Sequence, residues 1–137
     1  MFLMIEIDSE KPIYMQIRDQ IIEGIASGQL PAGAGLPTIR QLASDFGINL
    51  HTVNKAYDLL EREGFIQLRR KTGAVVQVTS PLSATWQERQ RTLLAEAYAK
   101  HVSSEEILRQ CQAILKDFEE FAAQHKLNSN SQNWSQQ

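Results

Sequence analysis

A single cysteine, Cys111, and three methionines are all the sulfur in the 137-residue sequence. A lone thiol excludes an internal disulfide and a four-cysteine zinc site. Positive charge is not in surplus either: 14 Lys and Arg stand against 16 Asp and Glu, for a formal net charge of -2. No global basic field exists, so any affinity for a polyanion must come from a local cluster. No apolar run approaches the roughly 18 residues that a membrane span needs. The opening MFLMIEIDSE turns acidic within a few residues, unlike a signal peptide. A cytoplasmic protein without membrane contact is expected. His51, His101 and His125 lie too far apart to give a ligand spacing, so no metal site is expected. No Ser/His/Asp or Cys/His arrangement stands out, and the glycines of PAGAG lack the lysine of a phosphate-binding loop. Glu105–Glu106 and Glu119–Glu120 read as cap and surface charges. Neither an enzyme nor a cofactor is expected.

What is present is helical punctuation. LMIEI alternates and favours a short strand that could join a small sheet. Pro12 can open a helix, since its missing N–H would be unpaired there. Ile13, Ile17, Ile21 and Ile25 then recur every fourth residue up to Gly28. LPAGAGLP reads as a loop. Thr38 and Gln41 form a capping box for a short helix with Ile39, Leu42, Ala43 and Phe46 on its apolar side, ended by Gly47. Asn49 caps a third helix, whose buried stripe is Val53, Ala56, Tyr57 and Leu60 and whose end is Gly64. A turn as short as GIN between two helices is a helix-turn-helix signature. Phe65–Arg69 and Ala74–Val78 read as two strands joined by RKTG. The expected fold is mainly α with a small β hairpin, an N-terminal winged helix-turn-helix over residues 1–80.

In such a unit the second helix of the pair enters the DNA major groove with its N-terminal residues nearest the base edges. Those residues are Asn49, Leu50, His51, Thr52, Asn54 and Lys55. Asn54 suits an adenine edge, Leu50 a thymine methyl, and His51 a base or phosphate. Thr52 and Lys55 suit phosphates, which fix register without reading sequence. Thr38 and Arg40 open the preceding helix, where free amides and the helix dipole favour a phosphate. The hairpin tip carries Arg69, Arg70 and Lys71, and strand alternation would send Arg69 and Arg70 to opposite sides. From Arg40 to Lys71 there are six basic and four acidic side chains. That modest excess predicts salt-dependent DNA binding by two units acting together.

TSPLSAT marks a change of composition near residue 80. A fourth helix is expected from about Thr85 to His101, with Trp86, Leu93, Leu94, Ala97 and Tyr98 on one side. A fifth, capped by Ser103 with Glu106, carries Ile107, Cys111, Ile114, Phe118 and Phe121 in steps of four and three, with Leu108 and Leu115 alongside. Residues 81–123 thus form a two-helix extension, and the Asn/Gln/Ser-rich residues 124–137 are expected to be disordered. Two helices can bury their stripes against their own winged unit or against a second chain. The four-three seam favours the second solution, a homodimer.

The stretches PIYMQIRDQIIEGIASGQL, GLPTIRQLASDFGIN and TVNKAYDLLEREGFI resemble the GntR family of bacterial transcription regulators. With the hairpin, the likeness covers about residues 10–78. The short C-terminus resembles the YtrA-type subfamily. The resemblance implies a dimeric repressor on a palindromic double-stranded DNA operator. It implies DNA contacts from Arg40, from Asn49 to Thr52, from Asn54, and from the wing tip, Arg70 to Gly73, reaching the minor groove. Many members carry arginine at the positions of Leu50 and Asn54, so a more A/T-directed readout is expected here. Lys71 also replaces the first of two wing glycines. Two alternatives stay open: a small-molecule effector in or beside the helical bundle, and a protein-interaction adaptor whose winged unit has lost DNA binding.

Overall fold

The computed structural model of the chain describes residues 3–70 and 73–134. Pro12 leads into α1, Ile13–Ala26. After a loop come a two-residue strand β1, Gly35–Leu36, helix α2, Ile39–Phe46, and helix α3, Leu50–Arg62. Strands β2, Ile66–Arg69, and β3, Gly73–Val76, form the hairpin. Helices α4, Ala84–Ala99, and α5, Ser104–Trp134, complete the chain.

The helix caps form where the residues are spaced for them. The Thr38 hydroxyl accepts from the Gln41 amide at 3.1 Å, and the Gln41 side chain accepts from the Thr38 N–H at 3.4 Å. Gly47 closes α2 in a left-handed conformation. The Asn49 Oδ1 accepts from the His51 N–H at 2.8 Å and so starts α3. In α4 the Ser83 hydroxyl takes the same role for the Trp86 N–H.

The core lies between α1, α2, α3 and the sheet. Ile17 and Ile21 of α1 and Val53, Ala56, Tyr57 and Leu60 of α3 are fully buried, joined by Leu42, Leu36, Ile66, Ala74 and Val76. The helical periodicity of α1 and α3 predicts these faces. Phe46 departs from expectation: at the last position of α2 it stays over a third exposed.

The sheet differs from the reading of the sequence. Its order is β1-β3-β2, antiparallel throughout. The third strand comes from the PAGAG loop, with Gly35 opposite Val75 and Leu36 opposite Ala74. LMIEI forms no strand. Its backbone is satisfied by two glutamine side chains of α1 instead. Gln20 gives and takes one hydrogen bond with the Met4 backbone, at 2.7 and 2.8 Å, and Gln16 does the same for Glu6, at 2.9 and 2.8 Å. A side-chain amide carries one carbonyl and one NH2, so it can mimic the pairing of a neighbouring peptide.

A charged cluster ties α1 to the end of α3. Arg18, buried at its stem, donates from Nε and Nη2 to the Glu63 carboxylate at 2.7 and 2.6 Å, and from Nη1 to Asp19 at 2.7 Å. Lys11 pairs with Asp19 on the outer side. Hydrogen bonding to Glu63 holds the Arg18 guanidinium well above its usual range, against the cost of burial. Burial alone would raise the Asp19 carboxyl, but the bonds from Lys11 and Arg18 outweigh it and hold it low.

Where the chain leaves β3 it runs back along the end of α3. The Gly64 carbonyl accepts from the Thr79 N–H at 2.9 Å. Gly64 has φ +84, and a Cβ there would stand 2.5 Å from the Ser80 hydroxyl. The strap 77–80 is thus seated directly on the recognition-helix terminus, shortly before the α4 cap.

Helix α4 has no buried residue. Helix α5 continues through the polar stretch, expected to be disordered, as far as Trp134. Lengthening an existing helix needs no new nucleus, so weak helix formers can extend it. Helix α5 passes the C-terminal half of α1, and the two border a groove of about 430 Å³ lined by Gln20, Glu23, Ser27, Ile114, Asp117 and Phe118, among others. Among the described residues, no helix is long and apolar enough to cross a membrane.

The Arg18–Glu63 pair gives a pH-dependent prediction. The hydrogen bonds from Arg18 hold the Glu63 carboxyl below its ordinary value of 4.5. A carboxyl lowered by folding stabilises fully above its unfolded value and loses that effect as the pH falls through its folded one. Glu63→Gln should therefore cost about 1–3 kcal/mol at neutral pH, with the gap to wild type closing in unfolding curves recorded progressively below pH 4.5.

Candidate nucleic-acid interface

The burial of one side of α3 decides what its other side presents. Val53, Ala56, Tyr57 and Leu60 face inward, so Leu50, His51, Asn54, Lys55 and Asp58 face solvent. Leu50, at the first helical position, is 43% exposed, an apolar tip suited to a methyl group. Asn49 spends its carbonyl oxygen on the cap and keeps its NH2 for a partner. Thr52 is half-buried and less outward than its neighbours.

Two of the exposed side chains are already engaged. The Asn54 Nδ2 donates to Asp58 Oδ2 at 3.4 Å. The Lys55 Nζ sits 4.0 Å from the centre of the Tyr14 ring on α1. Lys55 thus leans toward the N-terminus of α1. Its spacing in α3 gives no hint of this, because the partner belongs to another helix. Asp58, by contrast, is readable as the i+4 neighbour of Asn54.

Tyr57 connects this helix to the start of α2. Its hydroxyl donates to the Pro37 carbonyl at 2.7 Å. Burial pushes the phenol well above its ordinary value of 10.0, so it stays a donor. The bond fixes the residue just before the Thr38 cap. Beside it opens a cleft of about 430 Å³ lined by Thr38, Ile39, Arg40, Tyr57, Leu68, Arg69, Arg70, Gly73 and Ala74. The cleft therefore gathers Thr38, Arg40, Arg70 and Gly73, four residues predicted from separate motifs. Arg69 borders it at the end of β2 and also borders a second hollow with Ala32, Gly33, Val75 and Gln77. Within β2 the exposed Gln67 and Arg69 alternate with the more buried Ile66 and Leu68, as expected. Arg40 and Arg70 thus border one cleft beside the N-terminus of α2, where positive charge favours phosphate. Lys71 lies outside the described residues.

Gly73 joins the wing to the cap. Its φ is +83, and an added Cβ would lie 3.3 Å from the Thr38 methyl. The wing thus rests directly on the residue that starts α2.

The predicted tail residues lie apart from this cleft. Leu93, Leu94 and Tyr98 of α4 and Leu108, Ile114, Leu115 and Phe121 of α5 are exposed, as are Trp86 and Cys111. Ala97, Ile107 and Phe118 are half-buried. Ile114, Phe118 and Phe121 border the groove toward α1. Among the described residues no group of His, Cys, Asp and Glu could hold a metal ion.

A helix-turn-helix with a basic wing closed against its first helix is the framework of a winged-helix DNA-binding protein. Comparison with known proteins narrows the class. The family described as bacterial regulatory proteins, gntR family, matches residues 13–76. The crystal structure of a transcriptional antiterminator from Listeria monocytogenes EGD-e superposes with a TM-score of 0.73 at 31% identity, over 86% of this chain and 92% of that one. YtrA from Sulfolobus acidocaldarius, a GntR-family transcription factor, gives a TM-score of 0.60 at 45% identity, over 72% of this chain and 99% of that one. The HTH-type transcriptional repressor YtrA of Bacillus subtilis is 44% identical over 53% of this chain, which spans 58% of that repressor's length. The chain belongs to the GntR family, in its YtrA-like branch, and is a DNA-binding transcriptional regulator.

The wing contact can be tested at Gly73. A left-handed backbone costs a residue with a side chain roughly 1–2 kcal/mol, and the new methyl would press on Thr38. Gly73→Ala should lower the unfolding free energy in urea by that amount and weaken DNA binding. Wild-type values in both assays would show that the wing does not depend on this seat.

Proposed function

We propose that the protein acts as a homodimeric repressor. In this reading each α3 enters a major groove of a roughly palindromic operator, and residues 81–123 join the two winged units. The observation that carries the dimer is the apolar surface of α4 and α5: Leu93 is 62% exposed, Tyr98 68%, Leu108 62% and Leu115 59%. Leaving such area in water costs about 25 cal/mol per Å². A second copy offers an identical stripe, and a two-fold axis brings both under cover at once. The same axis would set two recognition helices about one helical turn of DNA apart, or a multiple of it.

Repression is supported by the naming of the Bacillus subtilis relative as a repressor. DNA contacts are assigned to Thr38, Arg40, Asn49, Leu50, His51, Thr52, Asn54, Lys55, Arg70, Lys71 and Gly73. The adaptor alternative gains nothing from a cleft bordered by Arg40 and Arg70. A small-molecule effector, in this scheme, would act from the groove between α1 and α5, where a bound compound changes the angle between the winged unit and the tail.

The test is a selection of random DNA by the purified full chain. An enriched inverted repeat is expected, with Arg40→Ala and His51→Ala each weakening its binding severalfold while sedimentation still reports a dimer. Leu108→Asp combined with Leu115→Asp should sediment as a monomer and bind the repeat far less tightly. Selection of no palindrome would reject the operator reading, and an intact dimer in the double variant would reject the interface.

A further inference from the structure

The outward face of α3 divides into two halves, each held by a residue absent from the assigned DNA contacts. Asn54 is held by Asp58, and Lys55 by Tyr14. We infer that Asp58 and Tyr14 are positioning residues for DNA reading: Asp58 sets how the Asn54 amide faces a base, and Tyr14 sets where Lys55 meets a phosphate. The inference rests on the DNA-reading role of α3 proposed above.

The argument for Asp58 is one of hydrogen-bond inventory. An ionised carboxylate has acceptors and no donor. It can face only the NH2 side of Asn54, and an amide turned the other way would set oxygen against oxygen. With one N–H directed to Asp58, Asn54 has its carbonyl oxygen and a second N–H left. One acceptor beside one donor is the complement of the adenine N6 and N7 edge. The 3.4 Å separation makes the contact a bias between two amide orientations rather than a rigid clamp. Asp58 also puts a negative charge on a face that approaches DNA. Its removal should raise affinity for all sequences together while flattening the preference among them, two effects of opposite sense that can be read separately.

The argument for Tyr14 is geometric. Lys55 has a flexible four-carbon stem and could sweep a wide arc. With its ammonium 4.0 Å from the ring centre, it is drawn to the α1 side of the recognition helix. That is the flank of the groove, away from the base edges beside Asn54. An ammonium over an aromatic face keeps its outer N–H groups free, so it can bind a phosphate without leaving the ring. Phosphate contacts place a protein on the duplex, and base contacts carry the sequence information. The two neighbours thus keep those tasks on separate sides of one helix.

The experiment measures base preference and salt dependence in full-chain variants whose melting temperatures match wild type. Asn54→Ala should abolish an adenine preference at one position per half-site. Asp58→Asn should reduce that preference severalfold and leave the salt slope almost unaltered, and Asp58→Glu should restore it. Lys55→Ala should lower the slope of log K against log salt by about 0.9 for each phosphate that is no longer neutralised. Tyr14→Leu should lower it in the same direction, and Tyr14→Phe should not. An unchanged base profile in Asp58→Asn overturns the first half. A slope that responds to Lys55→Ala but not to Tyr14→Leu overturns the second. A wild-type chain that selects no sequence removes the DNA-reading role itself, whereas a selected operator with a flat response to all four positions removes only this assignment.

Discussion

One face of α3 has no rotational freedom. Val53, Ala56, Tyr57 and Leu60 are all fully buried, packed in one core with Ile17 and Ile21 of α1. Turning the helix by a single residue would swing these side chains out by about 100° and bring polar ones into their place. Each fully buried side chain of this size contributes roughly 1.5–3 kcal/mol, so no other rotation competes. Every statement about which residues can meet DNA follows from that constraint. The Tyr57 hydroxyl then carries it to the start of α2, and the Arg18–Glu63 bonds carry it to α1.

The charge of the molecule is arranged rather than abundant. A chain with a net charge of -2 still sets Arg40 and Arg70 beside one cleft, and it locks Arg18 into a carboxylate pair elsewhere on the winged unit. Counting basic residues cannot separate these two uses. Arg18 and Arg40 are the same residue type on successive helices. One is buried and fully bonded, and the other is exposed at a helix N-terminus. The distinction is made by burial, which only the fold supplies. Such placement lets a weakly acidic chain present positive charge locally.

Legibility follows the range of the interactions. Caps, the α1 and α3 stripes and the tight turn are set by residues within about four positions of each other, and they are readable. The capping box of Thr38 and Gln41 and the cap of Asn49 form as spaced. LMIEI misleads because alternation marks an extended chain but does not say what pairs with it. Gln16 and Gln20, on the far side of a turn, take the place of a strand. The same limit hides the strand in PAGAG and the Tyr14–Lys55 contact. Each depends on where a second element comes to rest. The helix through 124–134 escapes for another reason, since composition reports the stability of an isolated segment and not its attachment to a longer helix.

The seat of Ser80 on Gly64 has a mechanical meaning. The peptide just past the C-terminal end of α3 is hydrogen-bonded to the strap, and there is no room for even one methyl group between them. The last turn of α3 and the first residues after β3 are therefore held in one fixed relation, and a bulkier residue at position 64 would have to part them. The smallness of this glycine is what lets helix end and strap lie flush.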